Sequence, residues 1–320
     1  MSVAALVRFL LLALAAPGLA LAQGTFASKP VKFIVPYAPG GGTDILTRTT
    51  AQKLGELWGQ TVIVENRAGA NGIIGTRAMI DLPPDGTTLA VVVATHVINA
   101  FTMKEMPFDP RRDVAPVTVI ASSPFVLVIP ASSRWKSVKD LVAEAKANPG
   151  KLSIAHSEGS TQLTGAMFAQ AAGVELLPVA YKGGALIMTD LIGGHLAMGF
   201  TSVTTALSHV KSGKLRVIGV AQSKRVAAFP DAPTFTEGGV RGVESAAWYG
   251  VLAPPKTPPE ALKRLQSDIA KVLATPEMKE RVAQVGAEPV GNTPEQFAKL
   301  MDAEYEKWAR VAKAAGVKPE

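Results

Sequence analysis

The sequence predicts an α/β protein of two domains, one inserted into the other. Three observations carry this. Short β-rich runs alternate with helical patterns along most of the chain, the pattern of strands joined by helices in a largely parallel sheet. A glycine-rich turn, Gly40-Gly41-Gly42-Thr43-Asp44, joins the first run to the first helix. The chain ends in helical patterns, and its 320 residues exceed one average domain.

The first block begins with a strand over Val31 to Val35, then the glycine turn and a helix bearing Leu46, Leu54 and Leu57. Strands over Thr61 to Glu65 and Thr88 to Ala94 flank a glycine-rich turn region, Asn66 to Gly75. Val114 to Ile120 and Phe125 to Ile129 follow as two further strands. A second block repeats the order. Ser137 opens a helix, Lys151 to His156 is a strand, and Ser160 opens a helix with Leu163, Met167 and Phe168 on its apolar side. Strands over Glu175 to Ala180, Leu196 to Phe200 and Leu215 to Ala221 alternate with helices over Gly183 to Ile192 and Val203 to Val210. After a strand over Trp248 to Ala253 the tail is helical. Thr257-Pro258-Pro259-Glu260 and Thr293-Pro294-Glu295-Gln296 both read as capping boxes with proline in the first turn. A tail that packs back on the first block makes 23–124 plus 247–320 one domain and 125–246 an inserted one. Connections near Pro124 and Ala247 then form a two-segment hinge.

The N-terminus reads as an export signal over residues 1–22. Arg8 is its positive end, Phe9 to Leu21 is apolar apart from the Pro17-Gly18 break, and Ala20-Leu21-Ala22 is a cleavage site of the A-x-A type. A membrane anchor needs about 20 uninterrupted apolar residues, which the Pro-Gly pair interrupts. There is no cysteine, which excludes a lipid-modified N-terminus, disulfides and thiolate metal sites. Net charge is +7, with basic residues dispersed rather than gathered in a nucleic-acid stripe.

Two segments carry candidate chemistry. In Gly40 to Asp44 the glycines let backbone approach a ligand and Thr43 can cap the helix, whose N-terminus is a ready anion site. A tight turn without ligand fits the same residues. The spacing is neither G-x-G-x-x-G nor G-x-x-x-x-G-K-[ST], so a nucleotide loop is not indicated. The matching segment is Ser157-Glu158-Gly159-Ser160-Thr161-Gln162, where hydroxyls and a glycine again open a helix. A carboxylate held between the two helix starts touches both domains, which couples closure to occupancy. His96 and Asn99 follow a buried strand at its carboxyl end, where they meet a ligand or satisfy a loop. His156, His195 and His209 have no metal-binding spacing, and no G-x-S-x-G elbow occurs. No catalytic group, metal or cofactor is expected.

From Val35-Pro36-Tyr37-Ala38-Pro39-Gly40-Gly41-Gly42-Thr43-Asp44 onward the residues resemble one family in order. Val64-Glu65-Asn66-Arg67, Pro84-Asp85-Gly86-Thr87, Phe108-Asp109-Pro110, Tyr181-Lys182-Gly183-Gly184, Thr189-Asp190-Leu191-Ile192-Gly193-Gly194 and Trp248-Tyr249-Gly250-Val251-Leu252-Ala253-Pro254 continue the series. They resemble the Bug receptors, substrate-binding proteins of tripartite tricarboxylate transporters. The resemblance implies a type II periplasmic-binding clamshell of two α/β domains. It implies a small organic carboxylate captured for uptake by transporter membrane subunits, by a monomer in the periplasm. It adds Tyr37, Pro39, Tyr181, Lys182, Gly183, Thr201 and Ser202 to the expected lining.

Two departures stand out: Gln162 where many relatives carry His, and Thr201-Ser202 where many carry Asp-Asn. Without that Asp an ammonium group lacks a partner, so plain carboxylic acids are expected over amino acids. A ligand-presenting sensor component, or an exported hydrolase or lyase using His96 and Asp44, are the competing readings.

Overall fold

The computed structural model describes residues 29–317 and 319. The expected export signal and its expected cleavage site lie outside the described residues. Strand β1 (Val31–Val35) is buried along almost its whole length and pairs in parallel with β2 (Val62–Asn66) and β3 (Thr88–Val92). This is the near-continuous apolar strand that a covered parallel sheet requires.

The largest departure from expectation is β4 (Ala115–Pro130). The two expected strands, Val114 to Ile120 and Phe125 to Ile129, are one run of 16 residues. From Ala115 to Pro124 it pairs antiparallel with β9 (Ala246–Ala253). From Phe125 onward it pairs antiparallel with β7 (Gly199–Ser202) and β8 (Leu215–Val220). Pro124 has no N–H to give, and the Phe125 N–H donates to Ser245 O at 3.2 Å where the partner changes. The sheet is therefore mixed rather than largely parallel, because its longest strand runs against its neighbours. Parallel pairing returns in β5 (Ser153–His156), which joins β7 to the edge strand β6 (Leu177–Ala180). The order is β2-β1-β3-β9-β4-β7-β5-β6, with β8 and the short β10 (Glu288–Pro289) also on β4.

Helices connect and cover these strands: α1 (Gly42–Trp58), α2 (Ile73–Ile80), α3 (Thr95–Thr102), α4 (Val138–Ala147), α5 (Gly159–Ala172), α6 (Gly184–Ile192) and α7 (Val203–Lys211). The sequence assigns no helix to α2, which overlaps the expected turn only to Gly75, or to α3, since eight-residue helices show little periodicity. The tail forms α8 (Pro259–Ala274), α9 (Pro276–Gln284) and α10 (Pro294–Ala314). The Thr293–Gln296 capping box forms. The one expected at Thr257 does not: its hydroxyl donates to Pro254 O at 2.7 Å, and Pro258 holds the cap position.

The tail packs onto β4 and β9. Phe297 meets Trp248 edge-on at 5.4 Å, and a Cβ on Gly250 would overlap the Phe297 ring. Trp308, fully buried, donates to Glu304 Oε2 at 2.7 Å, and Trp248 approaches the same oxygen at 3.4 Å. The architecture is a mixed α/β fold, with helices on both sides of an open sheet.

Candidate functional site

Four helices begin at one cleft. Gly41, Gly42 and Thr43 bring the start of α1, and Ser157 and Glu158 that of α5. Gly183 and Gly184 bring the start of α6, and Thr201, Ser202 and Thr205 that of α7. Tyr37, Ala38, Lys182 and Tyr249 complete the wall. Each helix start presents N–H groups without intrahelical partners and the positive end of a dipole. Together they make an electropositive seat built largely of backbone.

The loops are braced from behind. Asp44 Oδ2 accepts from Gly40 N–H at 3.0 Å, and Oδ1 accepts from Arg48 Nε at 2.9 Å and Asn66 Nδ2 at 3.0 Å. Burial pushes the Asp44 carboxyl up, but these donors outweigh it and hold the group below the usual carboxylate range. Asp44 is thus a strut for the glycine loop. Thr161 plays the same part in the second loop: its Oγ1 accepts from Ser157 N–H at 3.1 Å and Glu158 N–H at 3.3 Å.

Small residues set the width of the cleft. A Cβ on Gly183 would come within 2.8 Å of Ala38 Cβ, and one on Gly184 within 3.1 Å of Thr201 Oγ1. Gly42 N–H donates across to Thr205 Oγ1 at 3.0 Å, and Ser202 Oγ lies 3.1 Å from the same hydroxyl. The free space is about 40 Å³, room for a few waters or one carboxylate head.

Two phenols and one acid face this space. Tyr249 is 2% exposed, and its hydroxyl oxygen is buried without a hydrogen-bond partner, although the Ser202, Thr204 and Ser123 hydroxyls surround it. Burial, then the Glu158 charge, raises the Tyr37 phenol above its ordinary value. Burial likewise raises Tyr249. Burial also pushes the half-buried Glu158 up to about 7, against the pull of the Ser160 side chain.

The structure sorts the expected residues unevenly. Tyr37, Gly41, Gly42, Thr43, Ser157, Lys182, Gly183, Thr201 and Ser202 line the cleft. Pro39 and Gly40 are exposed beside it, and Gly40 turns the loop at φ +79°. Thr43 does not cap α1: Gly41 holds that position without a side-chain bond. Gly159 and Ser160 are buried behind the rim, where Ser160 N–H donates to Thr95 Oγ1 at 3.3 Å. Thr161 and Gln162 face a different groove of about 520 Å³ beside β6 and Val317. Tyr181 is outside the lining and donates to Asp190 Oδ2 at 2.6 Å.

His96 and Asn99 stand apart from the cleft because α3 turns them inward. His96 Nε2 lies 2.6 Å from Pro110 O, its ring stacks on Phe108, and burial lowers it to about 4. Asn99 Nδ2 donates to Asn71 O at 3.1 Å. Glu158, Thr205 and Tyr249 are lining residues that sequence reasoning passed over, whereas Gly184 falls within the expected Tyr181–Gly184 segment. Glu158 was in the quoted segment, but an acid is not the residue type sought in an anion seat. Thr205 closes the hydroxyl-rich run Thr201-Ser202-Val203-Thr204-Thr205, a signal that could have found it, whereas Tyr249 lies within a strand and only sheet pairing carries its hydroxyl to the cleft.

Among the described residues no group of His, Cys, Asp and Glu could hold a metal ion, and no helix is long and apolar enough to cross a membrane.

Comparison with known proteins places this geometry. Residues 46–317 match the tripartite tricarboxylate transporter family receptor. Protein BugT of Bordetella pertussis is 33% identical over 298 residues, 92% of this chain and 91% of its own length. The R. palustris protein Rpa4515, solved with adipate, is 33% identical at a TM-score of 0.89, covering 92% of this chain and all of that one. MatC of Rhodopseudomonas palustris, solved with bound malate, is 25% identical at a TM-score of 0.84, covering 89% and 99%. These relatives are binding receptors rather than enzymes. The chain belongs to the tripartite tricarboxylate transporter receptor family.

Proposed function

We propose that this chain is a periplasmic receptor that captures a small, plain organic carboxylate in the cleft and hands it to tripartite tricarboxylate transporter membrane subunits. The observation that carries the reading is the convergence of four helix starts around a buried, unpartnered Tyr249 hydroxyl. Such a site offers a carboxylate donors from several directions. Charge-assisted hydrogen bonds are worth roughly 1.5–3 kcal/mol each before desolvation. The relatives solved with adipate and malate hold acids without an ammonium group, in keeping with Thr201-Ser202 here.

Export with cleavage after Ala22 and a monomeric state belong to the same proposal. So does a division into 23–124 plus 247–320 and 125–246. The change of partner along β4 between Pro124 and Phe125 supports that division.

The test is a thermal-shift panel on protein stripped of co-purified ligand by unfolding and refolding. Adipate, malate, longer di-acids, tricarboxylates, aromatic acids, aspartate and glutamate make up the panel. A plain acid at a hundredfold excess over its Kd stabilises by about 2.7 kcal/mol. Silence across the panel overturns the carboxylate reading. Submicromolar aspartate or glutamate binding without any plain acid overturns the preference.

A further inference from the structure

Glu158 is out of place in an anion seat. It sits at the N-cap of α5, lines the cleft, and has no cationic partner within 4.0 Å among the described residues. We propose that Glu158 is a specificity-determining residue that meets the bound anion as a neutral carboxylic acid, so that binding a carboxylate draws one proton from solvent. The inference rests on the carboxylate reading above and adds a proton to it.

The geometry excludes the usual partners. Thr161 fixes the loop backbone, donating to Glu158 O at 2.9 Å while accepting from the Ser157 and Glu158 amides. The side chain shares the cleft with Tyr37 from the β1–α1 loop, Tyr249 from β9 and Lys182 from the β6–α6 loop. Both phenols are raised by burial and stay neutral, and they feel the Glu158 charge. Lys182 is exposed at the mouth and forms no ion pair with Glu158. His156, just before the loop, is lowered by burial to about 4 and carries no charge at neutral pH. Asp44 is buried and already paired with Arg48. No fixed side-chain cation therefore neutralises Glu158; only the Ser160 side chain and the helix dipole favour its ionised form, and burial outweighs them.

A ligand carboxylate changes the balance. Two carboxylates sharing one site cannot both ionise cheaply, so the arriving anion favours the protonated form of the acid already there. As the neutral acid, Glu158 donates its O–H to the ligand oxygen, a strong charge-assisted bond. As the anion, it repels the ligand. Burial already pushes Glu158 up to about 7, so the switch falls within the range where the protein is folded and testable. Above that value, affinity falls roughly tenfold per pH unit, as linkage of one proton requires.

The test is calorimetry with adipate at pH 6.0, 7.5 and 8.5, or with malate if adipate gives no heat. Buffers of differing ionisation enthalpy measure the proton uptake. Wild type is expected to lose affinity by about tenfold between pH 7.5 and 8.5 while taking up close to one proton. Glu158→Gln, which keeps a donor without a charge, should bind with no pH dependence and at pH 8.5 bind more tightly than wild type. A wild-type Kd constant across the range overturns the proposal, and this outcome needs no variant to fold. So does a Glu158→Gln protein that retains the wild-type pH dependence. If neither protein binds any acid of the panel at any pH, the carboxylate reading itself falls and takes this proposal with it.

Discussion

The backbone of Gly42 runs so close to Tyr249 that a Cβ at residue 42 would overlap the phenol oxygen and stand 2.9 Å from Ser202 Oγ. Tyr249 is fully buried and cannot swing aside. Gly42→Ala therefore forces a shift in the cleft wall, at about 1–3 kcal/mol of stability. It should weaken adipate binding by about tenfold or more. Thermal unfolding and calorimetry measure the two effects; unchanged affinity would show that the wall has slack.

The Tyr249 hydroxyl is a buried donor with no partner. Leaving such a group unsatisfied costs about 1–3 kcal/mol. Tyr249→Phe is thus expected to leave the unliganded melting temperature unchanged or raised, while shrinking the ligand-induced shift. A lower unliganded melting temperature with an intact ligand shift would assign Tyr249 to the core alone.

His96 supplies a pH dependence. Its ordinary value of 6.5 is driven by burial to about 4, so the folded protein holds it neutral. The unfolded chain takes up the proton first as pH falls, so stability from this group is intact above 6.5 and lost progressively down to about 4. The loss amounts to about 3 kcal/mol. Denaturant midpoints measured from pH 7 to 4 should slope accordingly. His96→Gln should reduce the slope, leaving the share of His156, which burial also lowers to about 4. It should leave ligand affinity at pH 7 within about twofold, since His96 stands outside the cleft.

Glu304 serves two indoles at once. Removing it by Glu304→Ala strands the Trp248 and Trp308 N–H groups in the tail interface. A loss of about 2–4 kcal/mol follows, with ligand affinity unchanged. Glu304→Gln keeps an acceptor oxygen and should recover much of the melting temperature.

Much of this fold was legible where local rules act alone. The strand at Val31, the glycine turn, Leu46 and Leu54 of the α1 stripe and the Thr293 capping box depend on neighbours within a few positions, whereas Leu57, expected on the same stripe, is exposed. Long-range pairing was not legible. Nothing near Pro124 says that β4 continues through it, because the partners that hold it straight, Ala246 and Ser202, lie far away in sequence. The same limit divides the site. The helix starts at Gly42 and Ser157 announced themselves by residue type. Glu158 was passed over because chemistry alone rates it a poor anion ligand, and Tyr249 because only the folded sheet carries its hydroxyl to the cleft. For His96 the sequence left ligand contact and loop support both open, and a short helix turns it into the interior.

A seat made from four helix starts also bears on how such a protein can diverge. Amides are common to every residue except proline, so outside Gly42, Gly183 and Gly184, where a Cβ would crowd the opposite wall, substitutions along those segments leave the attraction for an acid group intact. What remains free to drift is the small set of side chains around it, namely Tyr37, Glu158, Lys182 and Tyr249. A lineage can exchange one acid for another by altering these four positions while the charge-binding frame stays in place. A library randomised at those positions alone would sample new ligands without first having to reinvent the fold.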